Sequence, residues 1–266
     1  MSPIVPYHLW RNPTGVLGSR CEAPRDWGGK RICGAPRPCI ARGFRRMADV
    51  SDSAFSSLNT FIASAASRSA SPEQAEALAA ARADAEEYGL ATPGEALGGL
   101  LSTLAASGTG GAVAITPAAG VVGLRILAGL PEKSTVTCID PEADHQARAK
   151  SSFREAGFGP SRARFLPSRP LDVLGRLAAS TYHLVVADVD PVDLPAVVEA
   201  AWPLLTPGGT LVLVGSLLDG TLIDDSRTDR PTLAAREADA LVDALDGAVV
   251  TRLPLDSGVT LVTRAH

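Results

Sequence analysis

The stretch Ala112–Asp140, AVAITPAAGVVGLRILAGLPEKSTVTCID, decides how this chain folds. An apolar run (Ala112 to Ile115) breaks into a small-residue turn (Thr116 to Gly120). A helical pattern follows to Gly129, and an alternating strand closes on Asp140. That is one βαβ unit ending in an acid. A strand, a tight turn and a helix aim backbone N–H groups at a ligand. An acid about 20 residues on, at the tip of the next strand, suits the hydroxyls of a ribose. The spacing therefore predicts a ligand that contains a nucleoside.

On both sides of this unit, helices and short strands alternate with short connections, the pattern of a parallel sheet covered on both faces. Ahead of it, Ser53–Ala65, Pro72–Tyr88 and a segment ending near Ala106 read as helices. The second has Ser71 as N-cap, Pro72 at its first position, Gln74 three residues after the cap and Gly89 to end it. Thr92, Pro93 and Glu95 repeat the device for the third. Three helices before the first strand cannot belong to the repeat, so they cover the sheet edge, wall a substrate site or make a dimer contact.

After the unit come helix Glu142–Ala156, strand Ala163–Leu166, helix Leu171–Ala179, strand His183–Asp188 and helix Leu194–Leu205. Strand Thr210–Val214, helix Thr232–Leu245 and strands Ala248–Leu253 and Val259–Thr263 complete the order. The last two strands are joined only by Pro254–Gly258, too short for a parallel crossover, so they pair as an antiparallel hairpin. The predicted fold is α/β: a doubly wound, mostly parallel seven-stranded sheet with a C-terminal antiparallel hairpin, its core spanning 110–266 and preceded by helices over 47–106.

The 266 residues suffice for one large α/β domain, and no fully apolar run of 18 or more marks a membrane span. The formal net charge of −4 hides an asymmetry. Residues 1–46 hold nine Lys/Arg against two Asp/Glu, net +7, leaving 16 against 27, net −11, for 47–266. The first segment also carries Cys21, Cys33 and Cys39, with repeated Pro and Gly and no periodicity, and reads as a disordered basic extension. A nucleic-acid arm, a zinc site using His8 with the cysteines, and a transit-like sequence are the functional alternatives. No Cys-x-x-Cys pair supports the second, and an upstream extension irrelevant to function accounts for the break more simply. Cys138 reads as a small buried apolar residue, and with no disulfide partner in the folded part a cytoplasmic location is expected.

At Leu204–Val212 the chain reads LLTPGGTLV. This resembles the class I S-adenosylmethionine-dependent methyltransferases, in which a helix ending LLxPGGxLV leads into the fifth strand. Proline stops the helix and two glycines allow a reversal into a buried strand. Asp188-Val189-Asp190, LLDG at Leu217–Gly220 and LPLDSGVTLVTR at Leu253–Arg264 are similar to the small bacterial O-methyltransferases related to the caffeoyl-CoA and catechol enzymes, from about residue 85 onward. The resemblance implies a Rossmann-like methyltransferase fold with S-adenosyl-L-methionine as cofactor and a small-molecule methyl acceptor, and it suggests a homodimer. It assigns the turn Thr116, Pro117, Ala118 and Gly120 to the methionine end of the cofactor. It assigns Asp140 with Pro141 to the ribose, Ser168, Arg169 and Pro170 to the adenine, and Asp188 to a place beneath the methyl group.

The departures from the family pattern are specific. The family turn commonly reads E-x-G-x-G-x-G, and aligned on Gly120 this chain has Ala114, Thr116 and Ala118 at the earlier positions. Such a turn need not be strained if its φ angles are negative. An acid missing at Ala114 costs a charged hydrogen bond, about 1.5–3 kcal/mol, or roughly 10- to 150-fold in affinity, unless another group replaces it. Metal-dependent relatives place an Asp-Asn pair where this chain has Val214 and Gly215, and a Lys at Pro191. One remaining carboxylate cannot build the oxygen shell of Mg²⁺, so no tight metal site is expected.

Methyl transfer from a sulfonium needs alignment and deprotonation of the acceptor. The candidate catalytic groups are Asp188 and Asp190, with acids of the 17-residue loop Gly215–Pro231 as further options. The plain structural readings are a loop carboxylate capping a turn for Asp188, a helix-start acid for Asp190, and a polar excursion rather than a lid for the loop. His145 and His183 have no matched partner in sequence and read as surface or structural residues. Two other classes stay open. Ala118-x-Gly120-x-x-Gly123 is one methyl from the dinucleotide fingerprint of an NAD(P)-dependent dehydrogenase, and the eroded turn suits a catalytically inactive nucleoside- or partner-binding protein. Nucleic acid is not an expected substrate for a domain of net −11.

Overall fold

The computed structural model describes residues 55–65 and 71–266. The extension 1–46 and the start of the predicted helix Ser53–Ala65 lie outside the described residues. Eight helices and seven strands follow in order: α1 (55–65), α2 (Pro72–Glu87), α3 (Glu95–Ala106), β1 (Gly111–Ile115), α4 (Ala119–Gly129), β2 (Val136–Ile139), α5 (Ala143–Glu155), β3 (Ala163–Leu166), α6 (Pro170–Val173), β4 (Tyr182–Ala187), α7 (Leu194–Ala201), β5 (Leu205–Val214), α8 (Arg230–Ala244), β6 (Ala248–Leu253) and β7 (Val259–Arg264).

The sheet runs β3-β2-β1-β4-β5-β7-β6, with β7 antiparallel to both β5 and β6. Successive residues of a strand face opposite sides, and this alternation builds two cores. Ala112 and Ala114 of β1 join Leu184 and Val186 of β4 under α3, α4 and α5. Val113 and Ile115 join Val185 and Ala187 under α7 and α8. Both layers converge on β1 and β4, where the strand order reverses and the carboxyl ends of the strands open a crevice.

Helices α2 and α3 pack behind α4. Ala77, Ala81 and Ala85 form the buried stripe of α2, while Glu95 of α3 is held by Arg82 of α2 at 3.0 Å and by Arg125 of α4. The cap of α2 is the predicted one: Ser71 accepts the Gln74 N–H, Pro72 leads, and Gly89 adopts φ +66°. For α3 the cap is Gly94, not Thr92, and a glycine has no side chain with which to cap; the Glu95 carboxylate goes to the two arginines.

Three other boundaries differ from expectation. The predicted helix Leu171–Ala179 is one α-turn followed by a 3-10 turn, Leu174–Arg176, with Leu174 alone buried. Helix α7 ends at Ala201 and tightens into a 3-10 turn over Trp202–Leu204, where Pro203 has no N–H to give. The Pro207-Gly208-Gly209 element is not a turn before β5 but a bulge within it. Tyr182 pairs with Leu205 and Leu184 with Thr210, so three extra residues loop out, and Gly208 takes φ +77°.

Candidate active site

A cavity of about 320 Å³ opens at the carboxyl ends of β1, β2 and β4, at the small end of the range for small-molecule sites, roughly 300–1,000 Å³. Thr116 and Pro117 after β1, Asp140 and Pro141 after β2, and Asp188 and Asp190 after β4 line it, with Pro170 contributing from the loop beyond β3. Seven of the predicted positions thus share one surface.

Thr116 holds its centre. Its hydroxyl accepts the Ala118 N–H at 3.1 Å and donates to Asp188 Oδ2 at 2.9 Å, while the Asp188 N–H continues the ladder to the Ile115 carbonyl at 2.8 Å. No residue of the turn from Thr116 to Gly120 has positive φ. The substitutions for glycine therefore cost no backbone strain, and the hydroxyl at 116 adds a link between β1 and β4. Burial raises the Asp188 carboxyl above its ordinary value, opposed by the Thr116 hydrogen bond and reinforced by the negative charge of Asp256.

Asp140 is 5% exposed. His145, from the first turn of α5, places Nδ1 2.7 Å from Asp140 Oδ2, and Gln146 ties the Asp140 carbonyl to the Leu166 carbonyl at 2.9 and 2.7 Å, locking the tips of β2 and β3 together. Burial lifts the Asp140 carboxyl, and His145 pulls it back. A carboxylate offers about four lone-pair directions, so acceptor capacity toward the cavity remains. The absence of a matched partner for His145 is thus corrected: its partner is Asp140. A carboxylate followed five residues later by His at a helix start was the available signal. His183 is structural, its two ring nitrogens meeting the carbonyls of Gly110 and Ala105 at 2.7 and 2.8 Å.

Other predicted positions fall elsewhere. Ala118 and Gly120 turn toward a separate hollow of about 20 Å³, where a Cβ at Gly120 would face Ser152 and Ala81. Ser168 and Arg169 precede Pro170 but do not line the cavity. Ser168 closes a backbone turn onto the Leu166 carbonyl, and Arg169 is the exposed cap residue of α6. Asp190 does line the cavity, yet its Oδ1 accepts the Val192 N–H at 2.9 Å and caps the turn Pro191–Asp193. The loop Gly215–Pro231 is not an open lid. Arg236 of α8 donates to the Leu222, Asp224 and Arg227 carbonyls, Asp224 caps its own turn through Ser226, and Asp229 caps α8. None of that loop's four acids reaches the cavity. Sequence reasoning missed Ala91, Ile115, Ile139, Val189 and Asp193 as lining residues. The two isoleucines end their strands and could have been found by that fact; Ala91 carried no signal.

The third glycine of the dinucleotide-like pattern, Gly123, packs against the ring of Phe153, where a Cβ would collide. Its role is helix packing, and an antiparallel β7 between β5 and β6 departs from the all-parallel dinucleotide sheet. Cys138 is buried on β2 and its thiol is pushed up to about 12, as suits an inert core residue. Among the described residues no helix is long and apolar enough to cross a membrane.

No protein-family model matches the chain. A Mycolicibacterium smegmatis protein named as a candidate O-methyltransferase is 40% identical over 200 residues, 75% of this chain and 94% of its own length. One from Mycobacterium avium, named in the same way, is 38% identical over 188 residues, 70% of this chain and 85% of its own. A solved Corynebacterium glutamicum protein is 55% identical with a TM-score of 0.74, covering 80% of this chain and 98% of that one. TomG of Streptomyces achromogenes, an O-methyltransferase of tomaymycin synthesis solved with S-adenosylmethionine, shares the fold at 23% identity and TM-score 0.65, over 72% and 90% of the two chains. With the sheet order, the cavity at the strand reversal and relatives of this identity and coverage in agreement, the chain belongs to the S-adenosylmethionine-dependent O-methyltransferase family.

Proposed function

We propose that this chain methylates the hydroxyl of a small molecule, with S-adenosylmethionine in the cavity between β2 and β4 and no tightly bound metal. The observation that carries the reading is the shared cavity. It brings a buried, His-oriented carboxylate (Asp140) and a second carboxylate held by Thr116 (Asp188) to the two sides of β1.

The residues fit the cofactor. Asp140 has acceptor capacity for two ribose hydroxyls, Pro141 and Pro170 offer flat apolar faces beside it for the adenine, and Thr116 and Pro117 bring the start of α4 to the methionine end, with Ala118 and Gly120 behind them on the neighbouring hollow. Ser168 and Arg169 support Pro170 from the same loop. Bound there, the cofactor supplies an electrophilic sulfonium methyl. Asp188 then takes the proton from the acceptor hydroxyl. Its raised proton affinity brings a carboxylate nearer the range of a useful base at neutral pH, and the Thr116 hydroxyl fixes its orientation. Asp190 keeps its turn in place and shapes the mouth.

Among the described residues no three His, Cys, Asp or Glu side chains cluster to hold a metal ion, which supports the metal-independent reading. The net charge of −11 over 47–266 argues against nucleic acid. The single buried thiol among the described residues fits a cytoplasmic enzyme. Phe55, Leu58 and Phe61, each more than half exposed on α1, give a surface for a homodimer.

Calorimetric titration of the full chain with S-adenosylmethionine and S-adenosylhomocysteine, with and without Mg²⁺ and beside Asp140→Ala, tests the reading. Micromolar binding, lost in the variant and indifferent to Mg²⁺, is expected. No binding of either ligand by the wild type would overturn it.

A further inference from the structure

Helix α5 buries Gln146, Ala149 and Phe153, residues at the spacing of an apolar stripe. Gln146 thus puts an amide where packing alone would favour a hydrocarbon side chain, and it is only 3% exposed. A buried amide is tolerated where its hydrogen-bonding groups are answered. Here Nε2 donates to the Asp140 carbonyl at 2.9 Å and to the Leu166 carbonyl at 2.7 Å.

Those two carbonyls stand where the sheet releases its chains. Strands β2 and β3 pair in register as far as Ile139 and Leu166. One residue on, the Asp140 N–H reaches the Leu166 carbonyl only at 3.4 Å, beyond the usual span of an N–H···O bond. The Ser168 N–H turns back to the same oxygen at 3.0 Å, so the Leu166 carbonyl is the pivot from which the loop to Pro170 departs. Gln146 makes the shortest bond to that pivot and joins it to Asp140 from outside both strands. Asp140 and Pro170 line the cavity, and Gln146 does not. His145, one residue earlier, meets the Asp140 carboxylate at 2.7 Å. The first turn of α5 therefore holds Asp140 by its side chain and its main chain at once.

We propose that Gln146 is a positioning residue for the nucleoside half of the cofactor: by joining the Asp140 and Leu166 carbonyls it sets the gap between the ribose acid and the cavity wall at Pro170. This rests on the methyltransferase reading above. Gln146 touches no ligand; it acts through the two strand tips. Hydrogen bonds from a ribose weaken steeply with misalignment, whereas apolar contact with a base is non-directional. A tip free to shift loses the hydroxyls before it loses the base.

The test uses the full chain as wild type, Gln146→Met, Gln146→Asn and Asp140→Ala. Methionine keeps the length and removes both donors, while asparagine keeps the amide on a stem too short to span both carbonyls. Calorimetry measures affinity for S-adenosylhomocysteine and for its counterpart lacking both ribose hydroxyls, and urea unfolding measures stability. Wild type prefers the hydroxylated ligand by about 10-fold or more, the worth of one charge-assisted hydrogen bond. In Gln146→Met the preference falls to within about threefold, as in Asp140→Ala, while affinity for the counterpart moves by less than about threefold. Gln146→Asn falls between. A glutamine that only supports the fold would lower stability and leave the preference whole. An unmoved preference in Gln146→Met overturns the proposal, as does equal weakening of both ligands or a wild type with no preference. Should Gln146→Met not fold, Gln146→Asn decides by the same criterion. Should neither fold, the wild type decides through the Gln146 side-chain amide protons, followed by NMR. Linkage is reciprocal, so their exchange slows more with S-adenosylhomocysteine bound than with the counterpart, and equal exchange overturns the proposal. Failure of the wild type to bind S-adenosylhomocysteine strikes the methyltransferase reading itself; binding with an unmoved preference strikes this proposal alone.

Discussion

Replacing Thr116 by valine keeps shape and removes one oxygen. That oxygen accepts the buried Ala118 N–H at 3.1 Å and donates to Asp188 at 2.9 Å. A buried N–H left without a partner costs about 1–3 kcal/mol, and a hydrogen bond to a charged group contributes about 1.5–3 kcal/mol. The extra methyl of valine returns at most about 0.8 kcal/mol of burial. The net loss is about 2–5 kcal/mol, a large share of a typical domain's stability of about 5–15 kcal/mol. Urea unfolding followed by circular dichroism measures it, with Thr116→Ser as the control that retains both bonds and stays within about 1 kcal/mol of wild type. The same change removes a partner that stabilises ionised Asp188, so the acidic limb of the pH–rate profile moves upward in the valine variant. A valine variant within about 0.5 kcal/mol of wild type, or an acidic limb that stays in place, would refute the view that this hydroxyl organises the turn.

Asp188→Asn removes activity but stabilises the fold at neutral pH. The native carboxyl holds its proton more tightly than the unfolded one, so wild-type stability falls as pH rises from the ordinary carboxylate value through the raised one, at about 1.4 kcal/mol per unit of displacement. Thermal melts at pH 7.5 should favour the variant, with the gap closing near pH 3.5; a gap independent of pH would contradict this. Asp190→Asn, whose amide oxygen can still accept the Val192 N–H, retains most of wild-type kcat, and a loss of about 100-fold or more would make Asp190 the base instead. His145→Ala frees the Asp140 carboxylate to rotate and weakens S-adenosylhomocysteine binding about 10-fold by calorimetry; unaltered affinity would leave His145 without a role at the site. Gly123→Ala drives a methyl into the Phe153 ring and lowers stability by about 1–3 kcal/mol in denaturant, an effect that Phe153→Leu should relieve.

How much of this was written in the sequence depends on the range of the interactions. The βαβ unit, the closing hairpin and the positions of Asp140 and Asp188 follow from local pattern, because strand alternation and strand-end placement are properties of neighbouring residues. The links that make a site of them are not local. Thr116 meets Asp188 across 72 residues, and Gln146 meets the Leu166 carbonyl across 20, and neither pairing has any periodic trace. His145 lay within sight, five residues from Asp140, but only the turn between β2 and α5 decides that the ring swings back. The loop after β5 shows the converse failure. Its acids stood as further catalytic candidates beside the reading of a polar excursion, whereas Arg236, outside the loop, gathers its carbonyls, and the Asp224 and Asp229 carboxylates go to a turn and a helix cap.

Helix α4 is gripped through side chains it and its neighbours lack. Gly98 of α3 admits Arg125, whose Nε would stand 2.7 Å from a Cβ there; Gly129 lies against the Ser102 carbonyl; and Gly123 receives Phe153. The direction in which this helix points its first turn is therefore decided at its flanks and far end, by neighbours that never meet a ligand. A mount fixed from behind leaves its muzzle free to change. With Thr116 kept for the two bonds it makes, exchange of Pro117 and Ala118 can alter what the turn recognises while its aim persists, which makes that pair the place to begin if this scaffold is to be taught a different group at the methionine end.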